Sequence, residues 1–152
     1  MSKRILFLYI SMSSGHQRAA DATREALSLI APTWETSGVD AFSIAYPTLG
    51  KLISKTYLEM LRHTPILWDM VYDNPDVETS TREIRNLLNL ISLPKMRGLL
   101  RKHAPNALVC TQAAPCGVFA SEKRKGKLPI PLIAVITDFA THSYWVHPEV
   151  NL

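Results

Sequence analysis

Apolar residues occupy both alternation phases of the opening segment, KRILFLYI over residues 3–10. That pattern predicts a strand buried on both faces, as in a parallel sheet. A small-residue turn follows. From Gln17 to Ile30, the residues Ala19, Ala22, Thr23, Ala26, Leu29 and Ile30 recur at helical spacing. Alanines on that face predict a helix lying close to the sheet and ending at Pro32. Ser14, with Gln17 three residues on, fits a capping box for its start. Trp34 to Ala41 carries a weaker strand pattern that ends in Val39-Asp40.

Between Phe42 and Asp73 the apolar residues again follow helical spacing, interrupted by Pro47 and Pro65. Asn74-Pro75-Asp76 marks a turn. A helix is expected from Thr79 to Ile91, burying Ile84, Leu87, Leu88 and Ile91. A separate one is expected to His103 with Pro94 in its first turn. Ala107 to Thr111 is a short buried strand, Pro115 to Lys125 a helix ending in basic residues, and Pro131 to Ile136 the last clear strand. Strands alternating with helices predict an α/β fold, a doubly wound and mostly parallel sheet of Rossmann-like type. No internal repeat or low-complexity tract interrupts it.

Composition adds bounds rather than a function. The chain has 152 residues, 47% hydrophobic and 20% charged, which is one ordinary globular domain. A net charge of +4 and a pI near 9.2 suit anionic partners. They fall short of the basic stripe of a duplex-DNA binder, so no nucleic-acid partner is expected. Two cysteines, Cys110 and Cys116, do not make a disulfide framework and read as buried thiols of a reducing compartment. The first strand starts too early to leave room for a signal peptide. No uncharged apolar run reaches the roughly 18 residues of a spanning helix.

Candidate chemistry gathers at two strand ends. Ser13-Ser14-Gly15-His16 places an imidazole between the first strand and the first helix, at the sheet edge where open α/β folds bind ligands. A helix amino terminus disfavours imidazolium, so His16 is expected neutral near pH 7. The other end runs from Thr137 to His147 and holds Asp138, His142, Tyr144, Trp145 and His147. A histidine at the first position serves equally as a turn or cap residue, and Asp138 equally as a cap. His142 and His147 lack the i, i+4 spacing of a helical zinc site, and no metal is expected. Neither a G-x-G-x-x-G fingerprint nor a phosphate loop is present. No G-x-S-x-G elbow occurs. The Lys51 to Tyr72 stretch reads either as helices covering the sheet or as a surface entering the headgroup layer. In the second case Tyr57, Trp68 and Tyr72 sit at the interface, and Lys51, Lys55 and Arg62 meet anionic lipid. Lys123-Arg124-Lys125-Gly126-Lys127 is a solvated turn or a further lipid contact.

Two motifs, S-x-G-H-x-x-A-A at Ser13 to Ala20 and V-I-T-D-F-x-x-H-x-x-W-x-H at Val135 to His147, carry a family resemblance. Supporting matches are Val39-Asp40, the Tyr57 to Tyr72 segment and P-N-A-L-V-C-T at Pro105 to Thr111. Over nearly its whole length the chain resembles the amino-terminal half of the monogalactosyldiacylglycerol synthase and processive diacylglycerol glucosyltransferase family. It departs in carrying Met12, Ser13 and Ser14 where the family has more glycine, and Gln112-Ala113 where histidine and proline are common.

The resemblance implies the acceptor half of a two-domain, inverting GT-B glycosyltransferase. Such an enzyme moves a hexose from a UDP-sugar to diacylglycerol or a glycolipid. It works as a peripheral protein on the cytoplasmic face of an anionic membrane, without a metal or other cofactor. The UDP-sugar is a co-substrate held mainly by a carboxyl-terminal domain that these residues do not include, so the chain alone is expected to be inactive. His16 and Asp138 are the implied catalytic pair. One takes the acceptor proton, with Asp138 preferred, and the other positions the acceptor or relieves charge. Ser14, Gly15, His142, Trp145 and His147 become acceptor contacts, and Tyr57, Arg62, Trp68 and Tyr72 face the membrane. The alternative is a non-catalytic binding or scaffold domain of the same architecture.

Overall fold

The computed structural model describes residues 2–11, 14–47, 90–138, 141 and 145–152, with Ser14 by its backbone alone. Four parallel strands, β1 (Arg4–Tyr9), β2 (Glu35–Asp40), β3 (Ala107–Cys110) and β4 (Leu132–Ala134), form one sheet in the order β2-β1-β3-β4. β1 is central, paired from Arg4↔Glu35 to Tyr9↔Asp40 on one side and from Ile5↔Ala107 to Leu8↔Cys110 on the other. That position explains its unbroken apolar run. Leu6, Phe7 and Leu8 are fully buried, and consecutive side chains enter opposite layers. The α/β, doubly wound parallel architecture is the one the sequence pattern predicts.

On one face, α1 (Ser14–Ile30) covers Ile5, Phe7 and Val109 through Ala20 and Leu27. On the other, the larger core joins Leu6, Leu8, Leu108 and Leu132 to Met96, Leu99, Cys116 and Phe119. These last come from α3 (90–103) and α4 (Ala113–Arg124). The short α2 (Ala41–Ala45) seals this layer with Ala41 and Ala45.

Three expectations need correction. The face of α1 that meets the sheet runs through Ala20, Thr23, Arg24 and Leu27. Leu29 and Ile30 are each 79% exposed, and Ala22 and Ala26 face solvent. Polar members of the buried stripe disguise it: Arg24 lays its chain against Gly38, where an added Cβ would meet Nη1 at 2.9 Å and Tyr9 at 3.2 Å. Second, α1 is already helical at Ser14, so Ser14 stands in the first turn rather than before it. Third, α3 runs unbroken through Pro94, with no gap after Ile91 among the described residues, and Ile91, expected to be buried, is exposed. The expected helices between Pro47 and Leu90 lie outside the described residues.

Candidate functional site

The strand order reverses direction between β1 and β3, since β2 lies to one side of β1 and β3 to the other. Ligand crevices of open α/β sheets form outside the carboxyl ends of strands at such a point. Backbone pairing continues to this edge: Thr111 N donates to the Leu8 carbonyl at 3.0 Å, and Val135 N to the Cys110 carbonyl at 2.8 Å. The residues that follow β1, β3 and β4 are therefore held side by side.

Among them are His16 in the first turn of α1, Thr111 directly after β3, and Thr137-Asp138 after β4. The Thr111 hydroxyl donates to the His16 carbonyl at 2.8 Å. His16 Nδ1 is hydrogen-bonded to Thr137 Oγ1, and the Thr137 hydroxyl reaches the Thr111 carbonyl at 3.3 Å. Three strand ends are thus tied through His16, by its backbone carbonyl and its half-buried imidazole. Beside it the Trp145 indole Nε1–H donates to Asp138 Oδ2 at 2.5 Å.

Burial lowers the His16 pKa below its ordinary value, against the pull of the Asp138 charge and of a hydrogen bond at Thr111. The ring is neutral near pH 7, as expected, though partial desolvation rather than the helix terminus is the main physical cause. Asp138 is half-buried, and close enough for its charge to act on His16. The structure therefore brings the two residues of the expected pair to one edge.

The other candidates divide. Gly15 is exposed, and an added Cβ would meet nothing within 4 Å among the described residues, which leave the space above the start of α1 open. The side chain of Ser14 is not described, and His142 lies outside the described residues, as do Tyr57, Arg62, Trp68 and Tyr72. Trp145 lies with its ring buried. It is 3% exposed and part of the larger core, and its polar contribution is the bond to Asp138. His147 is half-buried against α4, where an added Cβ on Gly117 would meet its Nε2 at 3.3 Å.

A neighbouring anchor secures the loop that delivers His16. Asp40, at the end of β2, accepts from Phe42 N at 3.0 Å, Ser43 N at 3.2 Å and Ser43 Oγ at 2.7 Å, and also from Ser11 Oγ. Burial alone would raise its pKa, but these hydrogen bonds outweigh it and hold the carboxyl below its ordinary value. The loop after β1 is thereby fastened to the end of β2. On the opposite side Gln112 caps α4 by accepting from Ala114 N at 2.6 Å. This is a structural use for a position where the resembled family carries histidine.

Among the described residues no group of three or more His, Cys, Asp or Glu side chains is placed to hold a metal, and no helix is long and apolar enough to cross a membrane. Cys110 and Cys116 are free and buried. Their thiols share a hydrogen bond, which with burial pushes Cys110 well up and by itself draws Cys116 down. Thr111 and Thr137 stand inside the motifs read from the sequence but were given no role there. The available signal was position: each is a polar residue at the end of an apolar run that leads to the same sheet edge.

Comparison with known proteins follows this geometry. The family model described as monogalactosyldiacylglycerol (MGDG) synthase matches residues 16–152. The uncharacterized glycosyltransferase YkoN of Bacillus subtilis (strain 168) is 26% identical over 153 residues, an alignment covering 99% of this chain and 40% of that protein. The chain thus spans less than half the length of that relative. No solved structure matches it.

Proposed function

The chain belongs to the monogalactosyldiacylglycerol (MGDG) synthase family, a glycosyltransferase family whose sheet and helices match the amino-terminal half of a GT-B enzyme; we propose that it is the acceptor-binding domain of an inverting transferase. Its acceptor is diacylglycerol or a glycolipid at an anionic membrane surface, and its donor a UDP-hexose held by a further domain. The observation that carries this reading is the meeting of His16 and Asp138 at the switch point of the sheet.

The chemistry follows from the acceptor. Its hydroxyl oxygen forms a bond to the anomeric carbon as the bond from that carbon to the UDP oxygen breaks, and the hydroxyl proton must leave. A neutral imidazole is a suitable receiver near pH 7, and the half-buried His16 is neutral there. Asp138 Oδ2 is already occupied, accepting the Trp145 indole N–H. Its negative charge favours the imidazolium that forms on His16, and it also suits an oxocarbenium-like transition state. We therefore give proton abstraction to His16 and charge relief to Asp138. The open space over Gly15 leaves room for the acceptor headgroup.

The test combines this chain with a donor-binding domain, UDP-hexose and diacylglycerol-containing vesicles. Glycolipid is expected from the combination and none from the 152-residue chain by itself. Turnover by the isolated chain, or transfer only to soluble acceptors, contradicts the proposal.

A further inference from the structure

We infer that Thr137 is a positioning residue that sets the tautomer of His16, keeping the ring proton on Nδ1 and leaving Nε2 as the bare, proton-accepting nitrogen. The catalytic consequence rests on the acceptor-binding reading above; the tautomer itself does not.

A threonine hydroxyl carries one hydrogen and can accept as well. Thr137 Oγ1 lies 3.3 Å from the Thr111 carbonyl, in geometry for donation, and a carbonyl can only accept. The same oxygen is bonded to His16 Nδ1. With its hydrogen directed to the carbonyl, the hydroxyl meets the ring as an acceptor, so Nδ1 must donate. In the opposite arrangement the hydroxyl donates to a bare Nδ1. The lone pairs of Thr137 Oγ1 and the Thr111 oxygen would then face each other unshielded. A neutral imidazole carries one proton, and the hydrogen bond at one nitrogen decides the state of the other.

The relay is held at both ends. Thr111 is fastened to β1 by its backbone bond to Leu8, and its hydroxyl grips the His16 carbonyl at 2.8 Å. Thr137 follows Val135, whose N–H is bonded to Cys110 at 2.8 Å. Backbone hydrogen bonds at Thr111 and Val135 thus fix the chain on both sides of the relay. Asp138, next in the chain, supplies charge to the same ring. Geometry and electrostatics therefore divide between adjacent residues: Thr137 orients and Asp138 stabilises.

The tautomer is read directly by long-range proton–nitrogen correlation spectroscopy on the 15N-labelled 152-residue chain at pH 8, with His16 assigned by its loss in His16→Ala. A protonated Nδ1 and a bare Nε2 are expected. Thr137→Val should move population toward the Nε2-protonated form, and Thr137→Ser should retain the original pattern. A wild-type ring protonated on Nε2 overturns the inference, as does a Thr137→Val spectrum unchanged from wild type. If the valine variant does not fold, the wild-type and serine spectra still decide. With a donor-binding domain present, Thr137→Val should lower kcat about tenfold while KM for the lipid stays within about twofold. It should cause no further loss in the His16→Ala background. An altered tautomer with unchanged kcat counts against the acceptor-binding reading and leaves the role of Thr137 in setting the tautomer standing.

Discussion

His16 is a neutral imidazole because part of its ring has left water, and that has a stability consequence. Its folded pKa lies below the ordinary value of 6.5, so between that value and the folded one the unfolded chain binds more protons. Stability attributable to His16 is complete above about pH 6.5 and is lost as pH falls through the folded pKa. Asp40 acts in the same direction lower on the scale, its contribution disappearing as pH drops through and below its ordinary value of 3.8. Urea unfolding from pH 7.5 to 5 should therefore show a decline in wild type that is reduced in His16→Ala. Trp145 offers a separate test. In Trp145→Phe most of the buried ring is kept while the donor to Asp138 is removed. Turnover should fall about 10- to 150-fold, matching the roughly 1.5–3 kcal/mol of a hydrogen bond to a charged group. His16 and Asp138 were legible in the sequence because each stands where an apolar run ends. Thr111 and Thr137 end apolar runs too, but a threonine there acquires a role only when long-range pairing sets strand ends together. Trp145 sits in a polar run that does not reveal a buried ring.

Elements show which local signals were sufficient. The double-phase apolar run of β1 identified a strand buried on both faces, and it proves to be a central strand paired on two sides. The stripe of α1 was misplaced by counting apolar residues, because Arg24 occupies a sheet-facing position while Leu29 and Ile30 stand exposed. Thermal or chemical denaturation separates these faces. Leu29→Ala should change stability by no more than about 0.5 kcal/mol, as for exposed sites. Phe119→Ala, at a fully buried position of α4, should cost about 3–5 kcal/mol. Asp40→Ala removes the cap of α2 and the tie to Ser11, and a loss of about 1–2 kcal/mol is expected. That variant should also broaden the resonances of the loop after β1, because its anchor on β2 is gone.

At the scale of the whole molecule, the strand order carries the functional argument. A sheet ordered β2-β1-β3-β4 has its change of direction beside His16, and β4 brings Asp138 to the same edge. The alternation of strands and helices made this architecture readable, whereas residues 48–89, where a lipid-facing surface was expected, lie outside the described region. A net charge of +4 suits an anionic surface. Sedimentation with vesicles should show binding that rises with acidic lipid and weakens with salt. Equal binding to neutral vesicles, or none, would remove the membrane from the account. The most direct measurement is a kinetic cycle of His16→Ala, Asp138→Asn and the double variant, joined to a donor-binding domain, with transfer from UDP-hexose to diacylglycerol as the readout. Each single change should reduce kcat, His16→Ala by about 10²–10⁴-fold. The double variant should be little worse than His16→Ala, because the two residues serve one proton transfer. Near-normal turnover in either single variant, or losses that simply multiply, would contradict a shared site.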